Sequence, residues 1–509
     1  MTASFVEQIP IRIGTPEEFL RVAEALRVAS FDEETICRTL NLDDMSDVGS
    51  VNQDEVDFSN VSPQLQILIR LFLYPALVPR PEVEGAFDRA TIDSFLALGL
   101  WGTGEFGKDD FYACVLLYPV AGFFVVSDRH SLPDGSEFHP PPDVVFPAIF
   151  VGTLLFVEVL PPLEGEDALD LCAGTGIGAL ILSRTNKRAV SADITLRAEQ
   201  FARFNSALND RPNMELVSGD LYGAVGGQTF DCVVAHPPYV PSIGLSTIWR
   251  DGGASGETLI RRIIEGLPDH LRAGGRFCAV TQGIDTKTEG FEERVRGWLK
   301  AQADEFDIIF GCLEERRPAD VLKNIAQRDP TGGSNAAGEL EKEFNRLGIL
   351  KMPYGVLYIR RAVDPGNHRP WTARKRLNSE TTGTDFEGAF ILHDRMSQPD
   401  FVAGLSDARP QLAPQLRVKI THVVSEGVLV PAEFTFETDR PFETAARFEG
   451  WMVPLLARLN GQTTLAAIHE EAKARSEMPA DFELKDFCGL VAGAMALGYI
   501  DLADFGAPE

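Results

Sequence analysis

Apolar positions along the chain recur first at helical and then at strand spacing. Thr15, Pro16 and Glu18 form a helix start with a capping box, after which Phe19, Val22, Ala23 and Leu26 fall on one face. Ser62 and Pro63 open a second helix, PQLQILIRLFLY, and RATIDSFLALGLW, ending at Gly99, reads as a third. The run FYACVLLYPVAGFFVV from Phe111 is too short for a membrane-spanning helix, contains Pro119 and Gly122, and is rich in strand formers. It predicts two buried strands. Three helices followed by a strand pair is the order of a winged helix.

From about residue 150 to 365 strands alternate with helices, the pattern of a parallel sheet covered on both faces. DALDLCAGTGIGALILS runs strand, glycine loop, helix. RAVSADI is a second strand, TLRAEQFARFNSALN an amphipathic helix, and MELVSGDL and FDCVVAHPPY two further strands. IRRIIEGLPDHLRAGGRFCAVT gives a helix, a glycine turn and a fifth strand, and GVLYIRR the last. The polar, glycine-bearing stretch from 327 to 344 predicts an inserted loop. Short β-like runs mark residues 366–435, and helical patterns then return. The expected architecture is a doubly wound, Rossmann-like α/β domain at 150–365 flanked by winged-helix-like α+β accessory domains at 1–149 and 436–509, with a β-rich connection at 366–435.

A length of 509 residues exceeds one ordinary core, in keeping with several domains. The formal net charge of -28 repels phosphate backbones and the third helix carries little positive charge, so nucleic acid is a disfavoured partner. The N-terminal module then reads as substrate-gripping or structural. Seven scattered cysteines lack metal-ligand spacing and predict reduced thiols in a cytoplasmic protein. The histidines at 130, 139, 270, 368, 393, 422 and 469 lack such spacing too, and no metal is expected. The opening MTASFVEQIPIR has neither the basic start nor the apolar stretch of a signal peptide, and no membrane association is expected. The sequence does not dictate an oligomeric state.

Candidate chemistry gathers at the ends of the strands. In DLCAGTGIG, Gly174, Gly176 and Gly178 sit between a strand and a helix, where backbone amides without β-carbons around them can approach a ligand. Asp193 ends the next strand, 19 residues after Gly174, where a carboxylate can accept ribose hydroxyls. Asp220 ends the third strand, within reach of an adenine. His236 opens a rigid polar turn, HPPY, after the fourth. All four features fall at the carboxyl ends of successive strands, the edge at which open α/β sheets bind ligands.

These residues also carry a family resemblance. DLCAGTGIG, SADI, SGDL and HPPYVPS, in this order, resemble class I methyltransferases that use S-adenosylmethionine. AHPPYVPS followed by WRDGGASGETLIRRIIEGLPDHLRAGG resembles the Asn-Pro-Pro-Tyr type, which includes the glutamine N5-methyltransferases of peptide release factors; the likeness spans about 150–360. YPVAGFFVVSD and RAEQFARFNSALN are similar to a bacterial branch with an extra N-terminal domain. The resemblance implies that Asp170, Gly174, Gly176 and Gly178 surround the methionine part of the cofactor, Asp193 the ribose, and Asp220 with Leu221 the adenine. Cys172, Ala173, Ile194 and His236 complete the implied cofactor set, and His236, Pro237 and Tyr239 the catalytic one.

The sequence departs from that family twice. Cys172 replaces the first glycine of the loop, and His236 stands where the family has asparagine. The family's asparagine oxygen and the carbonyl of the following proline accept two hydrogen bonds from the nitrogen to be methylated. Histidine can also accept, and unlike an amide it can take a proton, so His236 reads as an orienter or as a general base, with a structural histidine as the plain alternative. Arg250, in RDGGASGE, reads either as an anion-binding residue or as a solvated one. The expected activity is direct methyl transfer to a nitrogen of a peptide, protein or small molecule. Alternatives are transfer to oxygen or to a nucleobase, and a scaffold that binds the cofactor without catalysis.

Overall fold

The computed structural model describes residues 9–502 apart from 107–108, 137, 139, 244–246 and 329–332. Most of the opening stretch MTASFVEQIPIR, and His139, lie outside the described residues. The chain divides into two compact units, one taking in the residues up to Phe310 with Glu314–Thr372, the other Gly311–Leu313 with Ala373 onward.

In the first unit, α1 (Pro16–Val28) starts with the expected capping box and buries Phe19, Val22, Ala23 and Leu26. α2 (Pro63–Leu73) and α3 (Arg89–Ala97) are capped by the side chains of Ser62 and Asp88. The shorter helices Glu33–Leu40 and Arg80–Ala86 escape the sequence pattern because two turns give too few repeats to recognise. β1 (Leu116–Val120) and β2 (Phe123–Ser127) form an antiparallel hairpin whose turn residues, Ala121 and Gly122, both have positive φ, as a tight turn between twisted strands requires.

The alternation after residue 150 builds an α/β sheet. Its elements are α4 (Val151–Glu158), β3 (Gly165–Leu171), α5 (Ile177–Leu182), β4 (Asn186–Asp193), α6 (Leu196–Leu208), β5 (Met214–Ser218), β6 (Phe230–Ala235), α7 (Thr258–His270), β7 (Leu271–Gln282), α8 (Phe291–Trp298), β8 (Phe306–Arg316), α9 (Pro318–Arg328), α10 (Gly333–Leu347) and β9 (Ile349–Arg361). The strand order is β8-β9-β7-β6-β3-β4-β5. Pairs from β5 across to β7 are parallel, and β9 runs antiparallel to β7. The chain enters at β3, works outward to β5, and returns to β6 on the other side of β3. The carboxyl ends of β3 and β6 therefore flank the crevice where the winding reverses. Val233, Val234, Phe277, Cys278 and Ala279 are fully buried, as central strands covered on both faces should be.

Two expectations need correction. Residues 333–347 form α10 rather than a loop; Leu340 and Phe344, four apart, pack with Ile284, Val321 and Met352, and this narrow apolar stripe outweighs the glycines and polar residues around it. In the segment read as β-rich, Gly383–Met396 is an α-helix begun by a capping box of Thr382 and Asp385. The strands expected there do form, as Arg417–Ser425 and Val428–Thr438. Among the described residues no helix is long and apolar enough to cross a membrane, and the cysteines form no disulfide.

The N-terminal segment is fastened to the sheet through α6. Asn205 accepts from Val126 N at 2.8 Å and donates to Val126 O at 3.0 Å; Asn209 does the same with Phe124 at 2.9 and 2.7 Å. Four residues of helix rise about 6 Å and two residues of strand about 6.6 Å, so amides one helical turn apart meet alternate peptide groups of β2. The helix thereby covers an open strand edge. Beside it, Arg197 grips Asp128 in a bidentate pair at 2.7 and 2.6 Å, both side chains buried. Asn205 also donates to Thr175 O, in the glycine loop, at 2.9 Å. Asn205→Ala leaves Val126 N, Val126 O and Thr175 O unsatisfied in the interior. The expected loss is roughly 3 kcal/mol of stability, with faster hydrogen exchange at the Val126 amide. An unchanged denaturation midpoint and unchanged exchange would contradict this.

Candidate active site

The three glycines of the loop after β3 face three different things. Gly178 lies against Asp170, whose carboxylate a β-carbon would approach to 2.7 Å, and Gly176, at φ +78°, lies against Ala202 of α6 at 2.9 Å. Gly174, at φ +53°, has nothing within 4 Å of where its β-carbon would stand, so its open side faces the crevice. Asp170 turns away from that side. It accepts from Ala179 N at 3.0 Å, and burial pushes its carboxyl up to about 7 although backbone amides pull it down. Ala173 donates its amide to Ala192 O of β4 and has no N–H left for a ligand.

Cys172 has φ +56°, a left-handed conformation that glycine adopts freely and that strains other residues by about 1–2 kcal/mol. The glycine expected there has a backbone reason. Burial, together with the charges of Asp193, Asp170 and Asp220, raises the Cys172 thiol well above its ordinary range. Those three side chains are therefore near enough to act on Cys172 electrostatically.

Asp193 ties the loop to the end of β4. Its Oδ2 accepts from Gly174 N at 3.0 Å, and its Oδ1 from Thr195 N at 3.1 Å and Thr195 Oγ1 at 3.3 Å. A carboxylate has about four lone-pair sites, so Oδ2 retains one for a further donor. Ile194, next in the chain, is 56% exposed. Asp220 is exposed and paired with Arg262 of α7 at 2.8 Å, while Leu221, buried and at φ +51°, starts a short 3₁₀ turn.

His236 follows β6 directly. Its ring is stacked with those of Phe156 of α4, 5.6 Å away with planes 27° apart, and Tyr239, 6.0 Å away at 22°. Among the described residues no group hydrogen-bonds either ring nitrogen or the carbonyl of buried Pro237. Desolvation lowers the ring to about 4, so it is neutral at physiological pH. Tyr354 of β9 joins the cluster, 5.4 Å from Tyr239. Gly152 of α4 closes over all three: a β-carbon there would come within 3.0 Å of the Tyr354 hydroxyl and 3.5 Å of His236 Cε1 and of the Tyr239 hydroxyl.

RDGGASGE wraps the back of this turn. Val240 N bonds Arg250 O at 3.0 Å and Gly252 N bonds Val240 O at 2.8 Å; a β-carbon on Gly252 would meet Tyr239 Cα at 2.7 Å. Arg250 donates Nε to buried Asp251 at 3.0 Å and is otherwise partly exposed. Glu257, buried, accepts from Ile284 N at 3.0 Å and Arg294 at 2.6 Å and anchors the far end.

A glycine loop, acidic strand ends and a rigid proline turn thus share one sheet edge. Residues 147–308 match the family model described as the methyltransferase small domain. That span holds every candidate site residue read from the sequence. The ribosomal protein uL3 glutamine methyltransferase of Bradyrhizobium diazoefficiens is 27% identical over 202 residues, which cover 35% of this chain and 63% of that one. Its counterpart from Bordetella pertussis is 31% identical over 160 residues, 28% of this chain and 53% of that one. The release factor glutamine methyltransferase of Thermodesulfovibrio yellowstonii is 29% identical over 149 residues, 26% and 53% of the two chains. The chain thus spans between about half and two thirds of the length of these relatives. The α/β methyltransferase fold implied by the four motifs is the one observed.

Sequence reasoning missed Gly152, Phe156, Gln282 and Tyr354. Gln282, at the end of β7, is buried, and its Nε2 has no hydrogen-bond partner. It lies opposite Tyr354 in the β7–β9 ladder, and Ala235 lies opposite Ala279 in the β6–β7 ladder. Alternation then puts His236, Gln282 and Tyr354 on one face. Only strand registers carry that information.

Asp170→Asn tests the buried carboxyl. Its folded value, about 7, lies above an unfolded value of about 4, so its contribution to stability is complete below the lower value and is lost as pH rises through the upper one. Urea denaturation at stepped pH is expected to show the asparagine variant gaining on the native protein between pH 4 and about 7.5. A pH-independent difference would refute the assignment.

Proposed function

We propose that the protein is an S-adenosylmethionine-dependent methyltransferase that methylates an amide nitrogen of a peptide or protein. The observation that carries this reading is the His236 ring, without a hydrogen-bond partner among the described residues and followed by the equally unbonded Pro237 carbonyl, on the same sheet edge as the open face of Gly174. The names of the relatives, which act on glutamine in a ribosomal protein or a release factor, support it.

The crevice suits the cofactor. Gly174 leaves space for close approach, Asp193 Oδ2 keeps a lone pair for a ribose hydroxyl, and Ile194 and Leu221 offer apolar flanks for an adenine, with Asp220 beside them. Bound S-adenosylmethionine supplies a methyl group already activated on a sulfonium. The chain's part is placement, which can supply several kcal/mol. One nitrogen of the His236 ring and the Pro237 carbonyl accept the two N–H bonds of the amide. Gln282 Nε2 donates to its carbonyl oxygen, and Tyr239 and Tyr354 confine its plane. The nitrogen lone pair is left facing the crevice. Methyl transfer from the bound sulfonium to this nitrogen would leave the amide proton strongly acidic, free to depart to water. A ring lowered to about 4 is a weak base and a good acceptor, which favours orientation over proton abstraction as its role.

The same reading takes residues 150–365 as the catalytic domain and 1–149 and 436–509 as winged-helix-like accessory domains. The helices followed by a hairpin in the first support it.

Methyl transfer from tritiated S-adenosylmethionine, with calorimetric binding of the cofactor, tests the proposal. Cofactor binding without labelled product at any pH would instead indicate a scaffold. His236→Ala is expected to lower kcat about 10²-fold with cofactor affinity unchanged, and His236→Asn to recover to within about tenfold of the native rate. Because the native ring loses its accepting lone pair on protonation, activity should fall as pH drops through about 4, and this limb should vanish in His236→Asn. A native acid limb near pH 6.5 would point to a solvated, titrating histidine instead.

A further inference from the structure

Three aromatic rings are stacked on the surface beside the acceptor pocket. Phe146 lies 4.6 Å from Phe150 with planes 26° apart, and 4.5 Å from Trp249 at 11°. Phe146 is 39% exposed, Phe150 37%, and neighbouring Val151 64%, with Ile248 exposed as well. A contiguous apolar patch of this kind on a folded surface marks a place where something binds.

Its position says what. Phe150 immediately precedes α4, two residues before Gly152, which closes over His236, Tyr239 and Tyr354. Trp249 immediately precedes Arg250, whose carbonyl holds the amide of Val240, the residue after Tyr239. Both arms of the stack are thus tethered within a few residues of the acceptor turn, which places the patch beside it.

We propose that the stack is the docking platform for the methyl-accepting polypeptide, gripping an apolar or aromatic side chain that flanks the residue to be methylated. This rests on the amide N-methyltransferase reading above. Aromatic surfaces also stack nucleobases, but such sites sit in basic grooves that track the phosphate backbone. In residues 141–152 and 240–252 the only basic side chain is Arg250, whose Nε is held by Asp251, and the chain carries a net charge of -28. An uncharged apolar segment matches these surroundings and a polyanion does not. Flat rings give a large contact area for little loss of side-chain freedom, which suits recognition of a short extended segment.

The test uses the full-length protein and fluorescein-labelled peptides with one central glutamine, flanked on both sides by Leu and Phe or by Asp and Gly. Anisotropy is expected to show the apolar-flanked peptides binding at least about tenfold more tightly. Phe146→Ser/Phe150→Ser, which alters exposed rings only, is expected to abolish that preference while the calorimetric affinity for S-adenosylmethionine stays the same. Equal affinity for both peptide sets, or a preference that survives in the double variant, overturns the platform. So does tighter binding of a labelled single-stranded oligonucleotide that the double variant loses. Tritium transfer separates this inference from the reading beneath it. Label reaching peptides regardless of their flanks leaves the methyltransferase standing and removes the platform. An apolar preference with the expected loss in the variant, but without label on any peptide, keeps the platform and removes the amide methyltransferase.

Discussion

The crevice depends on one buried amide. Asn205 satisfies both backbone groups of Val126 in the N-terminal hairpin and the carbonyl of Thr175 in the glycine loop, and no water is required to complete the set. Because its donors and acceptor are all used, a shift of the hairpin and a shift of the loop are the same event. Around it, the side chains of α6 extend the arrangement: Asn209 repeats the pairing one turn later, Arg197 holds Asp128, Ala202 presses on Gly176, and Phe204 meets Phe19 of α1 edge-on at 5.0 Å. The open face of Gly174 is thus positioned partly from outside the α/β segment.

This explains how the loop tolerates strain. Cys172, Gly174 and Gly176 all lie at positive φ, and only two of them are glycine. A left-handed cysteine persists where its neighbours over-determine the backbone. Here the Ala173 amide is fixed to β4 and the Gly174 amide to Asp193. Loop shape is set by the ladder of bonds to β4 and α6, and the residue at 172 conforms to it.

What was legible in the sequence follows from how local each feature is. The strand ends bearing Asp193, Asp220 and His236 were readable because glycine, acid and proline sit within a few residues of an apolar run. α10 was not, since its stripe of Leu340 and Phe344 finds partners only in distant Ile284 and Met352. Asn205 and Asn209 read as the polar side of an amphipathic helix, yet they face a strand edge; period alone cannot tell water from a peptide group as the partner of an amide. Gln282 and Tyr354 belong to the site through the register of β7 with β9, which is a property of pairing rather than of either segment. At Gly178 the structure adds a packing reason for glycine that the motif does not display, since a β-carbon there would meet Asp170.

The surroundings of Cys172 have a chemical consequence. A thiol reacts with alkylating agents and peroxides as its thiolate, and desolvation and the nearby carboxylates bias the partly exposed Cys172 thiol toward its protonated form. The sulfur beside the glycine loop therefore reacts with electrophiles more slowly than an exposed thiol of ordinary acidity.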